Sequence, residues 1–276
     1  MQHTQPNNQS TNWKRALWLL AALGVSPAAW AQAPAPTPET VLPAIRAKVN
    51  SEPTDKETLQ ATTTTIGKGK QELRDVPQSV TVVTERLIDD RNLDTLKDAL
   101  KNTAGISFLS AEGGEEDIRL RGFSLQATGD IFVDGLRDPA FYERDSFNWD
   151  RLEVLRGSSS MLFGRGSTGG AVNQVSKLPR LYQPSEVALT LGTGRYARAT
   201  ADLNLKTGEN AALRVNAMVN KADNHGANID KSGVAPSFRW GIGTADEFLV
   251  SLYHLDNQNG INYGMPWLQN QMIPVD

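Results

Sequence analysis

The residues that could support catalysis are few and poorly spaced for it. The stretch from Gly164 to Gly169 fits G-x-G-x-x-G, but a dinucleotide-binding loop needs a strand directly before it and a long helix after it. Here a predicted helical turn precedes the motif and a predicted strand follows it, so these glycines are interpreted as sites of tight backbone turns. Ser167 lacks the G-x-S-x-G frame of a hydrolase nucleophile, and no histidine lies between His3 and His225. The sequence therefore predicts neither a nucleotide site nor a serine hydrolase.

The composition excludes further kinds of site. The 276 residues include no cysteine, which excludes thiol catalysis, disulfides and cysteine-ligated metals, and the 3 scattered histidines disfavour a histidine metal site. The formal net charge of -3 lacks the basic excess of nucleic-acid-binding proteins. A hydrophobic share of 39% with 21% charged residues is typical of a folded chain and not of a polytopic helical membrane protein. We expect a protein that is not an enzyme and binds no nucleic acid.

The first 31 residues have the features of an export signal. Lys14 and Arg15 precede an apolar run over residues 16–25, and small residues follow up to Ala31. This order describes a secretory signal peptide cleaved after Ala31. The alternative, a membrane anchor, is disfavoured because the run is too short to cross about 30 Å of hydrocarbon.

Residues 32–70 have the composition of a linker, with Ala-Pro alternation followed by charges and threonines. One apolar island interrupts the linker, and it consists of Glu39, Thr40, Val41, Leu42, Pro43, Ala44 and Ile45. Its proline argues against a helix, whereas an extended segment of this kind could add as a strand to the sheet edge of a partner. A chance apolar cluster in a tail is the alternative interpretation.

Residues 71–180 are predicted to form a mixed domain of short helices and strands. Thr84 and Asp94 are the predicted N-caps of two short helices, the second of which stops at Gly105. Predicted strands are Ser79–Thr84, Ile106–Leu109, Ile118–Arg121, Ile131–Val133, Arg151–Leu155 and Ala171–Ser176. A helical turn is expected at Ser160–Phe163, and Asp134 with Gly135 is a hairpin-turn signal.

After Pro184 apolar and polar residues alternate. The positions on the apolar face are Val187, Leu189, Leu191, Ala199, Ala201, Leu203, Leu205, Leu213, Val215, Ala217, Val219, Phe248, Val250 and Leu252. Segments of about ten residues with this period, separated by turns, are typical of a transmembrane β-barrel. A soluble β-sandwich is the alternative, and the export signal favours the outer membrane.

Five stretches carry a family resemblance, namely Asp75–Thr84, Leu120–Phe123, Ile131–Gly135, Arg151–Gly164 and Gly169–Lys177. In this order they resemble the N-terminal part of TonB-dependent outer-membrane receptors, and most closely the siderophore receptors. The likeness covers about residues 39–276. It implies an α+β plug domain at 71–180, then the start of a transmembrane antiparallel β-barrel at 181–276, with about five of 22 strands. It also implies the outer membrane of a Gram-negative bacterium as the location.

The same resemblance implies the function and the partners. The family imports ferric siderophores, and the iron travels within the ligand, so no cofactor of the protein's own is expected. Residues 39–49 are expected to contain the TonB box, formed by the island from Glu39 to Ile45, with TonB and outer-membrane lipid as partners. The serine- and glycine-rich forms at 157–160 and 166–170 favour a catecholate siderophore.

By resemblance, three plug loops lie at the extracellular apex, at residues 110–116, 124–129 and 137–147. A caged iron complex needs aromatic faces, hydrogen-bond donors and complementary charge rather than metal ligands. The predicted ligand-binding residues are Gln126, Phe141, Tyr142, Arg144, Tyr263 and Trp267. For the last two, anchoring of the barrel at the membrane interface is the alternative.

Arg121 and Arg156 match plug arginines that pair with barrel-wall glutamates in relatives, so we expect them to lock the plug to the wall. Their partners are expected beyond Asp276. About five strands cannot close a barrel, so the sequence predicts an incomplete receptor that does not transport alone. The alternatives are a secreted ligand-binding module with a soluble β domain, or a TonB-dependent receptor for a non-siderophore substrate.

Overall fold

The computed structural model describes residues 56–109, 117–138, 141–164, 168–223 and 228–260, and only the backbone of residues 267–268 and 271–272. The predicted signal peptide, the predicted TonB box, the loop 110–116 and Tyr263 lie outside these residues. Two parts are described below. We call residues 56–180 the plug and the sheet that follows them the wall.

The described residues of the plug form fourteen short α-helices and strands, besides single turns of 3-10 helix at Leu73–Asp75 and Ser146–Asn148. In chain order they are β1 (Thr63–Thr64), β2 (Gln71–Glu72), β3 (Ser79–Thr84), α1 (Glu85–Arg91), α2 (Leu96–Leu100), β4 (Ile106–Phe108), β5 (Ile118–Leu120), β6 (Phe123–Ser124), α3 (Leu125–Thr128), β7 (Ile131–Val133), β8 (Leu136–Arg137), β9 (Trp149–Arg156), α4 (Ser160–Phe163) and β10 (Gly170–Ser176). The central sheet has the order β3-β9-β10-β7-β8, and β4-β5-β6 form a smaller sheet. The strands β10 and β7 run parallel, whereas the other neighbours in both sheets are antiparallel.

The main plug core lies between the central sheet and the helices. Its fully buried members include Leu96, Leu100, Leu125, Leu152 and Val154. These side chains come from two helices and from the middle of β9, so the helices are held by apolar burial rather than by their own short length.

The helix caps confirm one expectation and correct another. The side chain of Thr84 accepts a hydrogen bond from the amide of Leu87 and caps α1 as predicted. The cap of α2 is Thr95, whose hydroxyl accepts from the amide of Asp98, so the expected cap at Asp94 is wrong. The helix also ends at Leu100, before Gly105.

The predicted linker extends too far toward the plug. Strands β1 and β2 pair as a hairpin, and Ile66 in the connecting turn is 2% exposed. Ile66 packs in a second apolar cluster with Phe132, Leu155 and Phe163. Residues 62–70 therefore pack on the rest of the plug, because they bury apolar surface that a linker would leave in water.

Two glycines after α4, Gly169 and Gly170, allow close packing of the backbone. A Cβ on Gly170, whose φ is +139°, would lie 2.1 Å from the carbonyl oxygen of Leu155. A Cβ on Gly169 would lie 2.5 Å from the carbonyl oxygen of Leu120. Only glycine lets the end of β10 approach both backbones this closely.

The wall is an antiparallel sheet of long strands. They are β11 (Glu186–Leu191), β12 (Ala197–Lys206), β13 (Ala211–Ala222), β14 (Ile229–Trp240), β15 (Phe248–Ser251) and β16 (His254–Asn257). The last two both pair with β14, so they form one interrupted fifth line of the sheet. Beyond them, β17 (Trp267–Leu268) pairs with β18 (Gln271–Met272). None of the described helices is long and apolar enough to cross a membrane.

The two faces of the wall differ in polarity. Buried residues facing the plug include Arg198, Asp202, Asn204, Arg214, Asn216, Asn220, Lys231, Ser237 and Arg239. Exposed residues of the opposite face include Val187, Leu189, Leu203, Val219, Val234, Phe238 and Val250. An apolar outer face and a polar, filled inner face are what a plugged barrel requires, so the predicted fold class is confirmed.

Candidate functional site

The segment from Phe141 to Asn148, part of a predicted apex loop, lies between the body of the plug and the wall. Its backbone pairs with the connection between α1 and α2. The amide of Ser146 donates to the carbonyl of Asp94 at 3.0 Å, and the amide of Leu96 donates to the carbonyl of Arg144 at 3.4 Å. These bonds hold the segment extended up to Asp145, and one turn of 3-10 helix follows at Ser146–Asn148.

On one side the segment binds the wall through charges. Arg198 donates two hydrogen bonds to the carboxylate of Asp145, at 2.8 and 2.6 Å, and both side chains are buried. The Lys231 ammonium, which is 1% exposed, pairs with the carboxylate of Glu143. Arg198 also lies 3.2 Å from a carboxylate oxygen of Asp94. Burial raises the pKa of Asp94, against the lowering effect of that guanidinium.

On the other side the segment packs on the plug itself. Arg144 donates from Nε to Oδ2 of Asp138 at 2.9 Å and lies over the ring of Tyr142, 4.5 Å from the centroid. The Tyr142 hydroxyl donates to the same carboxylate at 2.9 Å. The structure thus brings two of the predicted ligand residues together on one carboxylate.

The other predicted ligand residues have different surroundings. Phe141 is 63% exposed, and Gln126 on α3 is 9% exposed with its Nε2 buried and without a hydrogen-bond partner among the described residues. Trp267 lies in β17, where only the backbone is described. A ligand-binding role for these residues remains a prediction.

The two predicted lock arginines lie close to the same turn at the end of β9. Arg156 donates to the carbonyl of Ala104 and to the hydroxyl of Ser79, both at 3.1 Å. Arg121 is exposed, and one of its terminal nitrogens would lie 3.7 Å from a Cβ on Gly157. Their pairing with wall glutamates beyond Asp276 stays a prediction.

A second set of plug–wall contacts was not predicted from the sequence. Lys177, at the end of the plug, lies 3.4 Å from Asp202 of the wall and 3.0 Å from Glu85 of α1. Arg214 donates two hydrogen bonds to the carboxylate of Asp202, at 2.7 and 2.6 Å, and a third to the carbonyl of Leu178 at 2.9 Å. The sequence does show charged residues at the inward-facing positions of the wall strands. It does not show which plug residues they contact, because those residues lie far away along the chain.

Among the described residues, no group of three or more His, Asp or Glu side chains could hold a metal ion. The site contains acids paired with bases, an aromatic ring and amides. This chemistry suits the recognition of a polar ligand, and it suits the fastening of the plug to the wall.

A sheet domain seated on the polar face of antiparallel strands whose other face is apolar defines a plugged outer-membrane barrel. Comparisons with known proteins agree. The model of the TonB-dependent receptor plug domain matches residues 72–171. The probable TonB-dependent receptor BfrD of Bordetella pertussis is 36% identical over 208 residues, covering 74% of this chain and 28% of BfrD. This chain belongs to the TonB-dependent receptor family and is an outer-membrane protein.

Two further relatives are named for siderophores. The catecholate siderophore receptor Fiu of Escherichia coli K12 is 32% identical over 72% of this chain and 27% of its own length. Its open crystal form superposes with a TM-score of 0.69 at 30% identity, covering 78% of this chain and 32% of that one. The probable TonB-dependent siderophore receptor PiuA of Acinetobacter baumannii is 31% identical over 81% of this chain and 31% of its own.

The chain thus spans less than a third of the length of these relatives. The family is one of receptors, and membership sets aside the secreted module with a soluble β domain.

Proposed function

We propose that this chain serves TonB-dependent import of a ferric siderophore of the catecholate type. The observation that carries the proposal is the likeness to Fiu, named a ferric-catecholate import receptor, which extends across both the plug and the wall. A receptor for a non-siderophore substrate is the competing possibility.

The binding step is assigned to Phe141 and Tyr142, at the exposed start of the segment at 141–148. Phe141 presents an open aromatic face, and Tyr142, whose ring packs against the buried Arg144, adds a second ring beside it. Ferric catecholates are aromatic, so stacking would favour them.

The coupling step is assigned to the island from Glu39 to Ile45. Ligand binding would shift the plug and release this island, and TonB would then pair with it edge to edge. Arg121 and Arg156 would hold the plug in the barrel until that shift occurs.

The experiment separates binding from uptake in a receptor that carries this chain. Deleting Val41 to Ile45 is expected to abolish uptake of ferric 2,3-dihydroxybenzoate while its binding to intact cells persists. Deleting five linker residues, Asn50 to Thr54, is the matched control and should preserve both. Unchanged uptake after the first deletion would overturn the coupling assignment, and preferential binding of ferrioxamine B would overturn the catecholate assignment.

A further inference from the structure

The segment that carries the proposed ligand residues contacts the wall at several positions. Glu143 meets Lys231, Asp145 meets Arg198, and Phe147 packs against Met218 of the wall. Arg144, between the first two, faces the plug. Asn148 also accepts a hydrogen bond at 3.0 Å from Nδ2 of Asn216 in the wall, so wall contacts continue to the end of the segment.

The wall residues that receive these side chains form two adjacent rows across the strands. In the first row Arg198, Asn220, Lys231 and Asn257 are direct cross-strand partners. In the second row Thr200, Met218, Gly233 and Leu255 are direct partners. The first row takes the two acids, and the Nδ2 of Asn257 also donates to the carbonyl of Glu143 at 3.4 Å. The second row contacts the ring of Phe147.

The second row receives Phe147 because one of its members has no side chain. A Cβ on Gly233 would lie 2.8 Å from Cε1 and 2.9 Å from Cζ of that ring. Real carbon atoms do not approach this closely, so any side chain there would displace Phe147. The ring also stacks on Tyr253, with the centroids 5.6 Å apart.

We propose that Arg198, Lys231 and Gly233 are positioning residues through which the wall sets the placement of Phe141 and Tyr142 for the ligand. The inference rests on the proposed function and adds the barrel wall as a determinant of affinity. One buried and one partly buried charge pair hold the segment against the first row of wall residues, and the space left by Gly233 determines how closely Phe147 approaches the wall. If Phe141 and Tyr142 are already held in the binding conformation, they lose less conformational entropy when the ligand binds.

The first test needs no ligand and uses the absence of cysteine in this chain. A nitroxide label on Phe141→Cys, in a receptor that carries the chain, reports the mobility of the segment. Gly233→Ala is expected to increase this mobility. The matched control is Gly208→Ala in a wall turn, where a Cβ makes only an ordinary contact at 3.5 Å, and it should leave the spectrum unchanged. An unaltered spectrum in Gly233→Ala would overturn the inference.

The second test reverses the charges of one plug–wall pair in the unlabelled receptor. It measures affinity for ferric 2,3-dihydroxybenzoate at equal receptor abundance. Lys231→Glu and Glu143→Lys should each weaken binding about tenfold, and their combination should restore most of it. Lys221→Glu, on the outer face of the wall, is the control. Failure of the double variant to recover, or unchanged affinity in both single variants, would overturn the inference. Unchanged affinity in Tyr142→Ala would instead overturn the proposed ligand face itself.

Discussion

The backbone amide of Thr65 donates a 2.7 Å hydrogen bond to Oε1 of Glu153, a carboxylate with no exposed surface. Arg151 approaches the same oxygen at 3.0 Å and also donates to the Thr65 hydroxyl at 3.0 Å. Asn173 on β10 donates to the other oxygen at 3.1 Å. The hairpin of β1 and β2 is thus attached to the central sheet of the plug by a buried, fully bonded acid.

The first prediction concerns this acid. Glu153→Ala leaves the Thr65 amide and the Asn173 amide without their buried acceptor and leaves Arg151 with Asp150 as its carboxylate partner, a loss of about 3 kcal/mol. Maleimide labelling of Ile66→Cys should therefore become about 100-fold faster, since the hairpin opens more often. Glu72→Ala, an exposed acid on the same hairpin, is the control and should not change the rate. Equal labelling rates would show that the acid does not hold the hairpin.

A second prediction concerns the apolar half of the same attachment. Ile66→Ala removes methyl groups from a cluster closed by Phe132, Leu155 and Phe163, and should lower the free energy of plug unfolding by about 2–5 kcal/mol. Leu59→Ala, at a position 61% exposed, should cost less than about 0.5 kcal/mol. Urea unfolding followed by tryptophan fluorescence measures both. Similar midpoints for the two variants would contradict the burial argument.

Local signals predicted much of the fold because the determining residues are neighbours. The bounds of β7 and α4 agree with expectation, and the turn after β7 has φ values of 49° at Asp134 and 78° at Gly135. The first half of the hairpin of β1 and β2 falls within the predicted linker instead. Its burial depends on Glu153 and Leu155, which lie far along the chain, and no local pattern contains that information.

In the candidate site too, local sequence patterns predicted some features, whereas contacts between distant residues determined others. Alternation in the wall strands predicted which face is apolar, but not which plug residue each inward side chain meets. Phe147 falls inside a predicted apex loop, yet it packs into the wall because Gly233 leaves room for it. Arg144, a predicted ligand residue, has a side chain only 1% exposed and paired with Asp138. Residue type and spacing suggest a charged loop, whereas packing decides which of its side chains reach solvent.

A third prediction concerns the bidentate pair of Arg214 and Asp202 in the wall. Arg214→Lys keeps the charge, but an ammonium cannot replace two parallel bonds to Asp202 and one to the carbonyl of Leu178. The variant should lose about 2 kcal/mol and unfold at lower temperature. Arg195→Lys alters an exposed pair with Asp223 and should change stability by less than about 1 kcal/mol. Equal melting temperatures for the two variants would contradict a role for the bidentate pair.

The fourth prediction concerns the outer face of the wall. Val234 lies in the middle of β14 and is 39% exposed on the apolar side. Val234→Arg should cost about 2–4 kcal/mol in lipid and reduce the amount of receptor extracted from outer membranes. Thr193→Arg, in the turn between β11 and β12, introduces the same charge outside the strands and should assemble normally. Equal amounts of both variants would mean that Val234 does not face lipid.

The last prediction concerns the ligand face. Gln126 has a buried amide nitrogen without a hydrogen-bond partner among the described residues, and Tyr142 presents its ring beside Arg144. The combined change Gln126→Ala and Tyr142→Ala should weaken binding of ferric 2,3-dihydroxybenzoate about tenfold or more, because two recognition groups are lost. Surface abundance should stay unchanged, and Glu209→Ala in the turn between β12 and β13 is the control. Equilibrium binding to whole cells measures the effect, and equal affinity in the double variant would remove both residues from the ligand face.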